Sequence, residues 1–212
     1  MSGATRHASA RPRRRELRDG RVGGAADAIG PVSCGMDVFV FTHGQFSLID
    51  SLVYLSGQIG PCDMSISTWT AGNEDLGHMA ELLAAGSFRS VRWLVDRSFV
   101  TRQPAYCSRL RELFGDDSIR TTRTHSKFVV MRNDDYDLAI RTSMNLNHNP
   151  RAENIEISDD PALCDFMAQE VDTYFRAQQV GLFDAELRRP ASPGIRAGRV
   201  SGARIYPTKA NT

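Results

Sequence analysis

The chain has 212 residues, of which 41% are hydrophobic and 24% are charged, and its formal net charge is +1. That length favours one well-filled domain rather than two, and the composition is that of an ordinary globular protein. No apolar run approaches the ~20 residues that a membrane helix needs, so we expect a soluble protein without stable membrane association. Residues 1–30 lack the apolar segment of a secretory signal, which favours a cytoplasmic location.

The small net charge conceals two basic ends. Residues 1–30 hold seven Arg against three acidic residues, a net charge of +4, and residues 187–212 carry +6 with no acidic residue. The stretch between them therefore carries −9. Both ends are poor in large apolar side chains, so they cannot bury enough surface to offset the entropy lost on ordering. We predict a disordered basic arm over 1–30, a folded domain over 31–180 and a disordered basic tail over 181–212.

The basic ends have two interpretations. Flexible segments rich in Arg gain from the release of counterions at phosphates, which favours nucleic acid as a partner. Alternatively, the ends only keep the protein soluble. The sequence leaves both interpretations open.

The cysteines give no sign of a metal site or a nucleophile. Cys34, Cys62, Cys107 and Cys164 are widely spaced, with no C-x-x-C pair and no histidine at metal-ligand spacing. We expect all four to be reduced and structural.

From residue 37 onward, the apolar spacing alternates between that of strands and that of helices. Strands are predicted over 37–42, 64–69, 91–95, 118–124, 127–131 and 137–142. Helices are predicted over about 46–60, from an N-cap at Asn73 to Gly86, over 105–115, and from Pro161 to about 175. This alternation predicts an α/β domain with a mixed, mainly parallel sheet flanked by helices. The strands over 127–131 and 137–142 are separated only by a short polar segment and are predicted to form a hairpin. Trp69 and Trp93 are expected in the core rather than as base-stacking platforms.

Five polar residues lie at the ends of three consecutive predicted strands, and they form a set suited to phosphate. The third of these strands follows the hairpin, contains Glu153 and turns Ile155 and Ile157 inward. Lys127 is one of only two lysines beside 24 arginines, which indicates a need for a compact point charge rather than a guanidinium fork. It follows His125 by two residues. The other members of the set are Ser143, Asn145 and Glu153.

These residues carry a resemblance to a known family. The motifs in question are His125-Ser126-Lys127, Thr142-Ser143-Met144-Asn145 and Glu153-Asn154. In this order and spacing they resemble the His-x-Lys, Gly-Ser-x-Asn and Glu-Asn motifs of the phospholipase D superfamily, over about residues 37–178. The resemblance implies a phospholipase D-like sandwich as the fold.

The sequence departs from the family pattern at two positions. Arg132 stands where the family has Asp, five residues after the motif lysine, and Thr142 stands where the family has Gly. Tyrosyl-DNA phosphodiesterases, which belong to the same superfamily, also lack that Asp and remain enzymes. The loss of this Asp therefore does not by itself exclude catalysis.

The resemblance implies a role for each of the five residues. His125 would attack a phosphodiester phosphorus in line and form a phosphohistidine that water later resolves. Lys127, Ser143 and Asn145 would hold the non-bridging oxygens and neutralise the developing charge. Glu153 would accept a hydrogen bond from an imidazole and fix its tautomer. The resemblance implies no metal and no cofactor.

The family mechanism also needs a second histidine to protonate the leaving oxygen. This chain has one His-x-Lys motif, so the resemblance implies a homodimer in which two copies share an active site. The alternative is a histidine outside the motif that completes the site within one chain. His43, at the end of the strand over 37–42, is the candidate for that role.

The sequence thus predicts a metal-independent phosphodiesterase with nucleic acid as the favoured substrate, and therefore a nuclease. Phospholipid is less favoured, because there is no amphipathic helix rich in Lys or Arg and the middle of the chain is acidic. The competing hypothesis is a nucleic-acid-binding or assembly protein that keeps the fold with a degenerate site. The departures from the family pattern at Arg132 and Thr142 favour that hypothesis, whereas the presence of all five site residues favours catalysis.

Overall fold

Eight strands form one mixed sheet in the computed structural model, which describes residues 15–20, 23–147 and 150–180. The strands are β1 (Glu16–Gly20), β2 (Asp37–Thr42), β3 (Cys62–Thr68), β4 (Phe88–Asp96), β5 (Ile119–Thr122), β6 (Phe128–Arg132), β7 (Asp137–Thr142) and β8 (Glu153–Asp159). The helices are α1 (Ala25–Ile29), α2 (Leu48–Ile59), α3 (Asn73–Ala84), α4 (Phe99–Arg102), α5 (Pro104–Phe114) and α6 (Pro161–Ala177). Within these ranges, no helix is both long and apolar enough to cross a membrane.

The strand order is β1-β2-β8-β7-β6-β3-β4-β5, which confirms the α/β class and the β6–β7 hairpin. Neighbours pair in parallel at β1–β2, β3–β4 and β4–β5, and the remaining four pairs are antiparallel. The sheet is therefore mixed, as predicted, and six of its eight strands run in the same direction. The other two, β6 and β8, each insert between two strands that run the other way, which accounts for the four antiparallel pairs.

One face of the sheet is covered by α1, α2, α3 and α5, and the main core lies between them and the strands. Strands β2, β7 and β8 turn alternate apolar side chains toward this layer. Each fully buried Leu or Ile contributes roughly 1.5–3 kcal/mol of transfer free energy. The largest fully buried side chains include Trp93, Phe88, Phe99, Ile29, Leu48, Leu52 and Leu55.

The other face is covered by α6, which packs on β3, β5, β6 and β7. A second, smaller cluster forms there from Val130, Ala139, Cys164 and Met167. The middle of β7 is buried on both faces, which explains why its apolar run is continuous rather than alternating. Helix α6 begins at a proline. The Asp160 carboxylate caps α6 by accepting a hydrogen bond from the Ala162 amide at 3.0 Å.

Residues 16–29 differ from the prediction of a basic arm over 1–30, because they include β1 and α1. β1 pairs with β2 through backbone groups, which every residue supplies, so a low apolar content does not prevent the pairing. In α1, Ala25, Ala28 and Ile29 are buried in the main core. Residues 1–14, 21 and 22 of the predicted arm and the whole predicted tail over 181–212 lie outside the described residues.

The start of α3 also differs slightly from the prediction. The helix begins at Asn73 itself, and Gly72 takes the N-cap position that was predicted for Asn73. The Gly72 amide donates to the Leu146 carbonyl at 2.6 Å, which ties this helix start to the loop after β7. The start of α3 is therefore set by a contact between distant segments.

Candidate active site

The five predicted site residues all lie at one edge of the sheet, which we call the site edge. There β2, β3, β4, β5 and β7 end, and β6 and β8 begin, because β6 and β8 run against their neighbours. Adjacent strands lie about 4.8 Å apart. The topology therefore places Lys127 before β6, Ser143 after β7 and Glu153 at the start of β8, on three neighbouring strands.

Ser143 joins the loop after β7 to the start of β8. Its hydroxyl donates to the Glu153 carboxylate and accepts from the Asn154 amide at 2.9 Å. Its own amide donates to the Asn154 carbonyl at 3.1 Å. The Ser143 and Glu153 side chains are thus held against each other by both the backbone and a charge-assisted hydrogen bond.

His125 and Lys127 contact each other at the start of β6. The Lys127 ammonium donates to the His125 carbonyl at 3.0 Å, and its Nζ lies 3.2 Å from His125 Nδ1. An ammonium has no acceptor, so Nδ1 accepts in this contact and Nε2 carries the proton of a neutral ring. The His125 side chain is exposed, as a residue that meets a substrate must be.

Lys127 is half-buried, and its charge depends on its surroundings. Burial lowers the pKa of Lys127 below its ordinary value, and the Glu153 carboxylate raises this pKa in part. The same carboxylate therefore holds Ser143 by a hydrogen bond and stabilises the Lys127 ammonium electrostatically. Three of the predicted residues form one electrostatically coupled group.

Asn145 lies in the loop that follows Ser143. Its amide oxygen Oδ1 is buried and has no hydrogen-bond partner among the described residues. A buried polar atom without a partner is costly, so Oδ1 is an acceptor that a hydrogen-bond donor of a ligand can satisfy, whereas only the NH₂ group of this amide can donate to a phosphate oxygen. The loop is fixed one residue later, where Leu146 forms a parallel bridge with Ala71.

Glu153 does not form its predicted hydrogen bond with an imidazole of the same chain, among the contacts of the described residues. Its carboxylate accepts from Ser143, whereas the ring of His125 contacts Lys127 and Trp69. A histidine from elsewhere remains the partner that this prediction requires.

His43, the alternative second histidine, lies at the site edge just after β2. Its Nε2 is 3.3 Å from a carboxylate oxygen of Asp19, on the side of β1. Three strand spacings separate β2 from β6, or about 14 Å across the sheet. That separation disfavours His43 as a group that acts on the same phosphate as His125.

Thr142, which stands where the family has Gly, stabilises the turn after β7 through its side chain. Its hydroxyl donates to the Asn154 carbonyl at 2.6 Å and accepts from the Met144 amide at 3.0 Å. The side chain thus fixes the turn that carries Ser143. A glycine there would lack both bonds.

Arg132, the other departure, lies at the far end of β6 from Lys127, about 16 Å along the strand. Its guanidinium pairs with Asp137 at the start of β7 and with Asp165 of α6 at 2.9 Å. The presence of Arg132 in place of the family's Asp therefore affects an ion-pair network at the opposite edge of the sheet. It does not change the group of residues at the site edge.

We expect Arg132→Ala to lower the free energy of unfolding by about 0.5–1.5 kcal/mol, because partly exposed ion pairs contribute little more. The Arg132 side chain is 35% exposed. Urea denaturation measures the change, and Arg89→Ala is the matched control, since Arg89 pairs with Asp63 at 3.6 Å on the surface. A variant of full stability that had lost activity would contradict a purely structural role for Arg132.

Trp69 and Asp96 are site-edge residues that the sequence analysis missed. Trp69 follows β3 and is only half-buried, and its ring centroid lies 5.4 Å from that of His125. The prediction that Trp69 belongs to the core is therefore wrong, whereas Trp93 is fully buried as predicted. Asp96 ends β4 and accepts from the Thr124 amide at 3.0 Å. The sequence places both residues at strand ends, because Trp69 ends the predicted strand over 64–69 and Asp96 directly follows the one over 91–95, but it does not show that His125 is their neighbour.

No protein-family model matches the sequence, and no curated protein matches it. Solved structures that are similar to the chain include Nuc from Salmonella typhimurium, a phospholipase D family member, with 14% identity and a TM-score of 0.46 over 68% of this chain and 96% of Nuc. NucT from Helicobacter pylori has 10% identity and a TM-score of 0.48, over 66% of this chain and 97% of NucT. Phosphatidylserine synthase from Haemophilus influenzae Rd KW20 has 17% identity and a TM-score of 0.46, over 68% of this chain but only 39% of the synthase.

At these identities and TM-scores, the similarities support no statement about activity or family membership. The described residues themselves form a mixed sheet with helices on both faces, which confirms the predicted α/β class.

Proposed function

We propose that the chain is a metal-independent phosphodiesterase that cleaves nucleic acid through a phosphohistidine on His125. The observation that carries this proposal is the placement of the His125–Lys127 contact and the Ser143–Glu153 pair on adjacent strands of one edge. These groups are a nucleophile, a cation, a hydroxyl donor and a carboxylate. Phosphoryl transfer requires positioning and charge stabilisation of this kind.

Substrate binding prepares His125 for attack. A phosphate oxygen is a stronger, charged acceptor for Lys127 than the imidazole nitrogen that lies 3.2 Å from its Nζ. When Lys127 turns to the phosphate, the Nδ1 lone pair of His125 is released. The NH₂ group of Asn145 provides a further donor for the non-bridging oxygens, and the Ser143 hydroxyl donates to one of them when its hydrogen bond to Glu153 is exchanged for the phosphate.

The reaction then takes two displacements at phosphorus. A ring nitrogen of His125 attacks, a P–N bond forms, and the P–O bond to the leaving group breaks while a second imidazole protonates the leaving oxygen. In the second step water attacks the phosphorus, the P–N bond breaks, and the proton of the water passes to the second imidazole. The net change is the hydrolysis of one P–O bond.

The second imidazole comes from a second copy of the chain in this proposal. The position of His43, about 14 Å across the sheet, and the Ser143 contact of Glu153 both support a partner histidine. A twofold axis beside the site edge makes the two copies equivalent, so either His125 can attack while the other protonates the leaving oxygen, and this is the commonest symmetry of homo-oligomers.

Nucleic acid is the proposed substrate because of the charge distribution of the chain. The two ends, residues 1–30 and 187–212, carry +4 and +6 and suit a polyanion, whereas the middle of the chain is acidic and disfavours an anionic lipid surface. The ends are expected to contribute binding that weakens as salt is raised.

The test is hydrolysis of a bis-aryl phosphodiester and of single- and double-stranded DNA in excess EDTA. Turnover that resists the chelator and leaves a phosphorylated histidine, trapped by rapid quenching, supports the proposal. Absence of turnover from the folded protein would overturn it and would favour the nucleic-acid-binding or assembly protein. Turnover that EDTA abolishes would overturn the metal-independent mechanism.

A shared site makes a quantitative prediction for mixed dimers of wild type and His125→Ala. If each site needs His125 from both copies, activity falls with the square of the wild-type fraction, to about a quarter in an equal mixture. If each chain carries a complete site, activity falls linearly, to about a half. Co-refolding the two chains at defined ratios and measuring diester turnover separates these results, and a linear dependence would refute the shared site.

A further inference from the structure

Trp69 lies beside His125 because of the pairing of β3 with β6. Ser67 of β3 pairs with Phe128 of β6, and the Ser67 hydroxyl donates to the Ser126 carbonyl at 3.1 Å. The residue that follows β3 therefore faces the segment that leads into β6. The Trp69 and His125 rings lie 5.4 Å apart at an angle of 51°, which is direct contact between the two side chains.

Arg102 holds the indole from one face. Its guanidinium carbon lies 3.7 Å from the centroid of the Trp69 ring, and the same group donates to the Trp69 carbonyl at 3.0 Å. A further hydrogen bond of 2.8 Å runs from Arg102 Nε to the Ser98 hydroxyl. The indole is thus fixed by a cation–π contact and by a bond to its own backbone.

Asp96 connects this pair to the backbone beside His125. One carboxylate oxygen accepts from the Thr124 amide at 3.0 Å, and the other lies 4.0 Å from the Arg102 guanidinium. Asp96 is 8% exposed, so its charge is well placed to interact strongly with these partners. Two contacts therefore restrain His125. Asp96 binds the amide of the preceding residue, Thr124, and Trp69 packs against the imidazole ring itself.

We propose that Trp69, held by Arg102, is a positioning residue that fixes the imidazole of His125 for in-line attack. This inference rests on the proposed function, since it assigns His125 the role of nucleophile. An exposed histidine rotates freely about two side-chain bonds, and a reacting atom displaced by about 1 Å can cost on the order of 100-fold in rate. Packing against a fixed indole restricts the rotation before the substrate arrives.

A base-stacking role for Trp69 is less compatible with these contacts. Stacking needs a free ring face, but the Arg102 guanidinium already covers one face of the indole and the ring also contacts His125. The two roles differ in the kinetic constant that they change. Loss of a base platform weakens binding of nucleic acid, whereas loss of a positioning residue slows the chemical step with every diester.

The experiment compares Trp69→Ala, Trp69→Phe and Arg102→Ala with wild type, on single-stranded DNA and on methyl 4-nitrophenyl phosphate, which has no base. We expect Trp69→Ala to lower kcat by about 10- to 100-fold on both substrates with little change in KM, and Trp69→Phe to restore most of the loss. Arg102→Ala is expected to give a smaller loss of the same kind. Arg109→Ala is the matched control, since Arg109 pairs with Glu112 on the surface of α5.

Single-turnover measurements locate the effect, because the rate of phosphohistidine formation is expected to fall in parallel with kcat. An unchanged kcat with a raised KM for DNA alone would overturn the positioning role and indicate base stacking. An unchanged rate in folded Trp69→Ala would also overturn it. If wild type itself has no more activity than His125→Ala, the proposed function fails, and the positioning role fails with it. Should Trp69→Ala not fold, Arg102→Ala gives the same distinction, because it is expected to lower kcat on both substrates if Trp69 positions His125.

Discussion

His125→Ala is expected to abolish phosphodiester hydrolysis, with a loss of about 10³-fold or more in kcat. Removal of the attacking group leaves only the binding and charge stabilisation of the other residues, so no covalent intermediate can form. The side chain is exposed, so its removal sacrifices little buried surface and the variant is expected to keep wild-type stability. Initial rates with the bis-aryl diester in EDTA measure the effect.

The control for this substitution is His78→Ala, because His78 is an exposed histidine of α3 and has no role in the proposed reaction. Addition of free imidazole offers a second check. A small nucleophile that enters the vacated space is expected to restore part of the activity of His125→Ala, but not that of variants in the phosphate-binding residues. Full activity in His125→Ala would exclude the phosphohistidine mechanism.

Lys127→Met is expected to lower kcat by about 10²–10³-fold, since it removes the charge that meets the developing negative charge on the phosphate. Methionine keeps the length and much of the apolar volume of the lysine stem, so the fold should be little affected. The rate of phosphohistidine formation is the appropriate measurement. A change confined to KM would mean that Lys127 contributes only to ground-state binding.

The pH dependence gives an independent test of Lys127. Burial lowers the pKa of Lys127 from the ordinary 10.5, so its ammonium loses its proton at a lower pH than that of an exposed lysine. Activity is therefore expected to fall as the pH rises through this lowered pKa of Lys127. Lys127→Arg keeps its charge through this range, so its reduced activity should stay level where wild type declines. The same alkaline decline in both proteins would assign it to another group.

Much of the fold could be predicted because the strands and helices carry strong local patterns. β7 was predicted with its final bounds, and α2 and α5 were predicted within two residues at each end. The site-edge grouping of Lys127, Ser143 and Glu153 also followed from order along the chain, because a hairpin and the strand after it are adjacent in the sheet. Local periodicity and short connections are the features that a sequence displays directly.

The features that were missed depend on pairing between distant segments. β1 has one large apolar residue, Leu17, and its side chain is 76% exposed, so only the backbone ladder with β2 identifies it as a strand. The contact between Trp69 and His125 exists because β6 returns beside β3, and no periodicity encodes that neighbour. The Arg102–Trp69 contact likewise joins a short helix to the end of a strand. Local sequence patterns predict the helices and strands, whereas the contacts within the site depend on which strands pair and in which register.

The insertion of β8 between β7 and β2 has a consequence for how the chain folds during synthesis. β1 and β2 leave the ribosome early, yet β2 gains its β8 neighbour only when the last strand emerges, and the bond from Ser158 to Asp37 spans 121 residues. Closing so long a loop is entropically costly, and non-local strand pairing is slow. Until then the edge of β2 is unpaired and open to other chains. We therefore expect the N-terminal strands to be the part of the nascent protein that most needs protection by chaperones.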